Sequence, residues 1–172
     1  MTRSGLFVAV VLCALVAGCD DNPTSASNAP VVFSALLSPA NEVPPVGNAE
    51  SSGRGAAQIT FAVTRDSAGA VTGGTATMFF QVTGLPNGTI LRGAHIHSAV
   101  AGTNGPIVVD TGISAANTVT VTSGTGEFTF NGVAVSAAVM NGILANPLAY
   151  YFNVHTPLNP GGVMRGQLVP VG

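Results

Sequence analysis

Lysine is absent from the 172-residue chain, and beyond Arg3 the only cationic side chains are Arg54, Arg65, Arg92 and Arg165. Without a basic stripe to neutralise phosphates, nucleic-acid binding is excluded. Attachment to anionic lipid headgroups through a polybasic patch is excluded in the same way. Cysteine is nearly absent as well: Cys13 and Cys19 lie close to the N-terminus and none follows them. A domain built from the rest of the chain has no thiol nucleophile and no disulfide, and must rely on its core. About 150 residues suffice for one such core and fit a single domain. No apolar run is long enough to cross a bilayer as a permanent helix, which needs roughly 20 residues; Leu6 to Val16 falls well short. Carboxylates are sparse, namely Glu42, Glu50, Asp66, Asp110 and Glu127 after the first thirty residues. There is no Gly-x-Ser-x-Gly elbow, no phosphate-cradling glycine loop, no Cys/His zinc framework and no internal repeat.

The short apolar run after Arg3 ends in Leu15-Val16-Ala17-Gly18-Cys19. Small residues before a cysteine give a signal peptidase access to the backbone, and that cysteine is the residue a lipoprotein-processing system acylates. The competing reading is an ordinary secretory signal cleaved nearby, with Cys19 incidental. The small-small-Cys order favours lipidation. The expected organisation is a signal peptide over 1–18, a tether over 19–30 and one domain over 31–170. Asp20-Asp21 and the polar, Pro-containing stretch up to Pro30 read as a flexible tether. The protein is thus expected outside the cytoplasm on the periplasmic or cell-surface face, with the membrane as a partner through the lipid on Cys19.

From Pro30 onward the pattern is β. Ile59, Phe61 and Val63 alternate with Thr60, Ala62 and Thr64, while Ala76, Met78, Phe80 and Val82 alternate with Thr77, Phe79 and Gln81. Period-two alternation in branched and aromatic residues predicts half-buried strands. Strands are expected at Val31–Leu37, Ala57–Arg65, Thr75–Val82, Ile90–His97, Ile107–Asp110, Thr118–Thr122, Glu127–Phe130, Tyr150–Thr156 and Val163–Val169. Turns are expected at Asp66 to Gly69, Gly73-Gly74, Pro86 to Gly88, Asn104 to Pro106, Ser123-Gly124 and Asn159 to Gly162. One segment breaks the pattern: Ser136 is placed to cap a short helix whose Val139, Met140, Ile143 and Leu144 share a face, ending before Pro147. The fold class is therefore all-β, a Greek-key, immunoglobulin-like antiparallel sandwich of about eight or nine strands with one short helix.

The histidines carry the most chemical information. His95 and His97 are separated by one residue in a strand-like run, so both imidazoles leave the same face with Cα atoms roughly 6.5 to 7 Å apart. That spacing lets two rings converge on one metal ion, and His155, at the end of another strand-like run, can complete a three-imidazole cluster if the two strands are neighbours. The alternative is that the rings bond loop carbonyls and lock the sheet's edge, which is the commoner use of such histidines. Ring nitrogens converging within about 4 Å would favour a metal, and scattered, hydrogen-bonded rings would favour the lock. Glu42, in Asn41-Glu42-Val43-Pro44-Pro45, sits beside a stiff turn and reads as a carboxylate pinned to an arginine or histidine rather than as a general base.

Three ordered motifs carry a family resemblance. Leu37-Ser38-Pro39-Ala40-Asn41-Glu42-Val43-Pro44-Pro45-Val46 resembles the opening of the CHRD domain, named for the extracellular protein chordin. Gly93-Ala94-His95-Ile96-His97 followed by Gly105-Pro106-Ile107-Val108 is similar to its centre. Tyr151 to Thr156 followed by Pro160-Gly161-Gly162-Val163-Met164-Arg165-Gly166-Gln167-Leu168 is similar to its end. The resemblance implies an immunoglobulin-like sandwich outside the cytoplasm and carries no well-defined shared activity. One departure is Val163-Met164, where the family commonly has a polar residue, which removes a polar contact beside Arg165. A looser similarity, in His-x-His, Val-His and Gly-Gly before an arginine, is to copper-zinc superoxide dismutases. It implies His95, His97 and His155 as copper ligands and Arg165 as an anion-facing neighbour. No fourth histidine, zinc cluster or disulfide accompanies them, so full dismutase chemistry is not expected.

Two functions follow from different classes. The first is a non-enzymatic, lipid-anchored binding or structural module whose ligand is a protein or a small ion. The second is a copper-binding metalloprotein using the three-histidine cluster.

Overall fold

A computed structural model describes residues 29–172; the expected signal peptide, Cys19 and most of the expected tether lie outside the described residues. Among the described residues, regular structure runs from Val31 to Pro170. The strands are β1 (Val31–Leu37), β2 (Arg54–Arg65), β3 (Val71–Thr83), β4 (Thr89–Leu91), β5 (Gly93–Ser98), β6 (Ile107–Asp110), β7 (Val119–Val121), β8 (Gly126–Ser136), β9 (Tyr150–His155), β10 (Met164–Gln167) and β11 (Val169–Pro170), with α1 (Ala137–Ala145) between β8 and β9.

All pairings are antiparallel. One sheet has the order β11-β1-β2-β3-β8, the second β10-β9-β5-β6, and β4-β7 form a small separate ribbon. The chain leaves the first sheet after β3, makes β5 and β6 in the second, returns as β8 beside β3, and crosses again to β9 beside β5. Those crossings make it an all-β sandwich of Greek-key type.

The alternation read from sequence sets the core. Ile59, Phe61, Ala76, Met78 and Phe80 from the first sheet and Ala94, Ile96, Phe152, Val154 and Met164 from the second are all fully buried. Phe80 reaches across the sandwich to Phe152, with ring centroids 5.3 Å apart, and packs on Phe128 at 5.1 Å. Burying such side chains away from water, at about 1.5–3 kcal/mol each, is what holds a disulfide-free domain together. Helix α1 starts where expected: Ser136 Oγ accepts from the Val139 amide, and Met140 and Ile143 are buried. The chain then turns at Pro147, because proline cannot continue the helix.

The described residues hold eleven strands rather than eight or nine, because two expected strands are each shared between sheets. The run Ile90–His97 breaks at Arg92, whose amide bonds the His155 carbonyl, leaving β4 in the ribbon and β5 in the second sheet. The run Val163–Val169 breaks at Leu168, whose amide bonds the Tyr150 carbonyl; β10 stays in the second sheet while β11 pairs with β1 in the first. Gly73-Gly74 is not a turn but part of β3, paired with Val63 and Thr64 on one side and Val135 and Ser136 on the other. A Cβ on Gly74 would run into the Ala62 carbonyl of β2 and stand 3.0 Å from Met140 Cε, so its missing side chain makes room first for the neighbouring strand and then for α1.

Candidate functional site

The apolar face of the second sheet is spent on the core, and its other face is polar. Strand alternation sends His95 and His97 of β5 away from the core residues Ala94 and Ile96. Register then lines up their neighbours: His95 opposes Asn153, His97 opposes Tyr151, and Gly93 opposes His155 on β9. Asn153 in turn opposes Arg165 on β10, and His95 opposes Asp110 on β6. Loops roof this face. Arg165 Nε donates to the Asn41 carbonyl at 2.7 Å and Nη1 to the Thr103 carbonyl at 3.0 Å. His97, His95, Asn153 and Arg165 are all at most 8 % exposed.

The three histidines do come together. Ring centroids are 4.8 Å apart for His95 and His155, 5.7 Å for His95 and His97, and 5.8 Å for His97 and His155. One ring nitrogen from each lies within 4.8 Å of the others. That is wider than the roughly 4 Å criterion and than the about 3.4 Å edge of a tetrahedron with bonds near 2.05 Å. An ion would have to draw the rings inward. Gly93 makes the convergence possible: a Cβ there would stand 2.5 Å from His95 Cε1 and 3.3 Å from His155 Cδ2.

Two of the rings are hydrogen-bonded to backbone carbonyls, and the third faces a carboxylate. His97 Nδ1 is 2.9 Å from the Gly105 carbonyl, and His155 Nδ1 is 3.0 Å from the Pro160 carbonyl. His95 Nε2 lies 3.5 Å from Asp110 Oδ1. With those nitrogens donating, the lone pairs fall on His95 Nδ1 and His97 Nε2, both buried without a hydrogen-bond partner, and on His155 Nε2. His155 Nε2 faces Asn153 Oδ1 at 2.9 Å. A neutral imidazole has one N–H, so it cannot serve Pro160 and Asn153 Oδ1 together. A cation between Nε2 and Oδ1, or the amide turned end for end, satisfies both groups.

Burial keeps the rings neutral. It lowers the His95 pKa to about 4, assisted by the neighbouring His155 and opposed by Asp110. It lowers His97 and His155 below 6.5 as well, against the pull of their carbonyl partners. Glu42 is perturbed in the opposite direction. Burial pushes it up to about 7 although the Arg165 charge opposes this. Its Oε2 is 3.2 Å from Arg165 Nε, with both side chains 3 % exposed, while Oε1 has no hydrogen-bond partner. Gly162, at φ 132°, leaves room for that carboxylate. Arg165 is therefore bonded mostly to protein, with its Cζ 4.6 Å over the Tyr151 ring; only Nη2 is left without a partner. The anion-facing role implied for Arg165 rests on that single group.

The titrations set the pH response of the metal-free domain. Histidines with depressed pKa values contribute stability that is full above 6.5 and lost as pH falls through their folded values, which for His95 alone amounts to something on the order of 3 kcal/mol by pH 4. Glu42, with its raised pKa, works the other way and gives back stability as pH falls from about 7 toward 4.5. Denaturant melts from pH 7 to 4 should therefore show acid destabilisation, steeper in Glu42→Gln than in wild type. A Glu42→Gln profile parallel to wild type would contradict the raised carboxyl.

Sequence reasoning missed three residues. Tyr151 stacks on His97 with centroids 4.8 Å apart and planes 2° from parallel. Glu50, 5 % exposed, accepts from Thr156 Oγ1 at 2.6 Å and Asn159 Nδ2 at 2.5 Å. It thereby clamps the loop that presents the Pro160 carbonyl. Asn153 lies 1 % exposed among the imidazoles. Alternation alone puts Tyr151, Asn153 and His155 on one face of β9, and a polar residue inside an otherwise apolar strand was the available signal. Two surface grooves of about 570 and 400 Å³ share Glu42 and Val43 in their walls, and no histidine lines either.

The family model of the CHRD domain matches residues 33–168. No curated protein and no solved structure matches the chain.

Proposed function

The chain belongs to the CHRD domain family, and from that premise we propose that it is a binding module that takes a transition-metal ion through His95, His97 and His155, held outside the cytoplasm by lipid on Cys19. Membership alone supports a binding or structural module. What supports the metal is one observation: each of the three imidazoles offers a ring nitrogen within 4.8 Å of the others, while Nδ1 of His97 and of His155 is bonded to a backbone carbonyl and Nε2 of His95 faces Asp110. Outer acceptors of this kind set the tautomer and orientation of metal-binding histidines. Neutral imidazoles suit copper and zinc, and Cu(II) is the tighter binder of the two by the usual divalent order.

Calorimetric titration of the untagged, chelator-stripped chain with Cu(II) and Zn(II) tests this. Wild type is expected to bind Cu(II) at micromolar concentration or tighter, Zn(II) more weakly, and each single His→Ala variant much more weakly. Because burial already holds the rings neutral, affinity should persist through pH 6.5 and fall only at lower pH. Wild type binding no tighter than the triple-alanine variant would leave the rings as struts that pin the loops at Gly105 and Pro160. The anchor has its own test: Cys19→Ser should release the protein from the membrane fraction or leave it unprocessed, and a serine variant that stays anchored and is processed identically to wild type would refute lipidation.

A further inference from the structure

Asn153 is placed as no other side chain near the histidines is. It lies on β9 with His95 opposite it on one side and Arg165 on the other, two residues before His155, and only 1 % of its surface is exposed. Its Oδ1 sits 2.9 Å from His155 Nε2, the ring nitrogen not bonded to the Pro160 carbonyl. The same carboxamide lies against His97, although His97 Nε2 has no hydrogen bond of regular geometry. The amide's other end, Nδ2, is buried and has no partner, so no bond fixes which way the group faces.

We propose that Asn153 supplies the fourth ligand of this site through Oδ1, closing a three-nitrogen, one-oxygen shell around the ion, a reading that rests on the metal binding argued above. Two ligand atoms on one tetrahedral ion stand about 3.4 Å apart. The Nε2 and Oδ1 atoms are now 2.9 Å apart, so placing an ion between them asks this pair to open by only about half an ångström. The carboxamide has two uses. Without an ion, Nδ2–H facing Nε2 satisfies a neutral His155. With an ion, the amide turns and Oδ1 bonds the metal. Asp110 is the competing oxygen donor, but it is 55 % exposed and lies against Nε2 of His95, the nitrogen on the outer side. With His95 and His97 at 8 % and 7 % exposure, little room is left for a metal-bound water. Structural metal sites are closed by a fourth protein ligand, whereas catalytic ones keep that position open. The site is thus built to hold an ion rather than to activate water on it.

The full untagged chain loaded with Co(II), whose visible bands report coordination, tests the fourth ligand with azide as the probe for an open position. Wild type should show four-coordinate bands that azide leaves unchanged. Asn153→Ala, checked by circular dichroism to be folded, should show bands that shift on adding azide and should bind Co(II) at least tenfold more weakly. Asn153→Asp should bind it at least tenfold more tightly at pH 7.5, because a carboxylate replaces a neutral oxygen. Wild-type bands that shift with azide would show an open position and overturn the assignment. An Asn153→Ala spectrum indifferent to azide would show that another group closes the shell, and would overturn it too. If the alanine variant does not fold, the aspartate variant still decides: equal or weaker binding sinks the assignment. Absence of Co(II) uptake by wild type would instead refute the three-histidine site itself, and the fourth ligand with it.

Discussion

Arg165→Met should destabilise the domain by about 5 kcal/mol at pH 8, enough to bring an ordinary domain near its unfolding threshold. The figure follows from what the guanidinium touches. Its partner Glu42 is 3 % exposed, and removing one member of a buried ion pair typically costs about 3–5 kcal/mol, because the other charge is left without compensation. The Asn41 and Thr103 carbonyls lose their donors as well, but both residues are exposed, so water replaces the donors and this adds little. The cost should depend on pH with a definite sign. Burial already raises Glu42 to about 7 with the arginine present, and without it the carboxyl rises further. At pH 5 Glu42 is then protonated and neutral, so the deficit shrinks; above pH 7 ionisation must be forced and the deficit grows. Glu42→Gln in the same chain should recover a large part of the loss at pH 8. Urea melts at pH 5 and 8 on the two single variants and the double variant measure this as a coupling energy. An Arg165→Met cost under 1 kcal/mol at both pH values would mean that the pair does not hold the roof onto the sheet.

The same pair shows what could be read from sequence and what could not. Alternation in β2 and β3 identified the core residues because side-chain period depends only on local geometry. His95 and His97 were placed on one face for the same reason. Ser136, Met140, Ile143 and Pro147 announced α1 because caps, apolar spacing and proline act within a turn or two. Glu42 could be read as a carboxylate pinned by a cation, but not which one, because 124 residues separate Asn41 from the Arg165 that bonds it. That β9 lies beside β5 with Gly93 opposite His155 is likewise a matter of pairing and register, set by the whole sandwich. The strand breaks at Arg92 and Leu168 had no local mark, since both residues suit a strand and break there only because the sheets diverge. Gly73-Gly74 misled in the opposite direction: glycine pairs usually make turns, and here they make clearance for the carbonyls of the two flanking strands.

Gly93→Ala should separate folding from metal binding. The Gly93 backbone lies outside the left-handed region, so an alanine meets no conformational penalty there. In a strand the methyl group would, if anything, add about 0.5–1 kcal/mol by restricting the unfolded chain. Its Cβ, however, would stand 2.5 Å from His95 Cε1 and 3.1 Å from His95 Nε2. Those atoms are the far end of a side chain that can swing, so the fold survives and His95 moves. Movement takes its Nδ1 out of reach of His97 and His155, and takes its Nε2 away from Asp110. The expected result is a melting temperature equal to or above that of wild type, with Cu(II) affinity down on the order of 100-fold, the upper end of what displacing a ligand's support costs. His95→Ala should match it in affinity without the gain in stability. A Gly93→Ala protein that binds Cu(II) as wild type does would mean that His95 does not hold the ion from the position it occupies over Gly93. A protein that loses affinity only because it unfolds would show the loss tracking the melt, and circular dichroism on the titrated sample distinguishes that outcome directly.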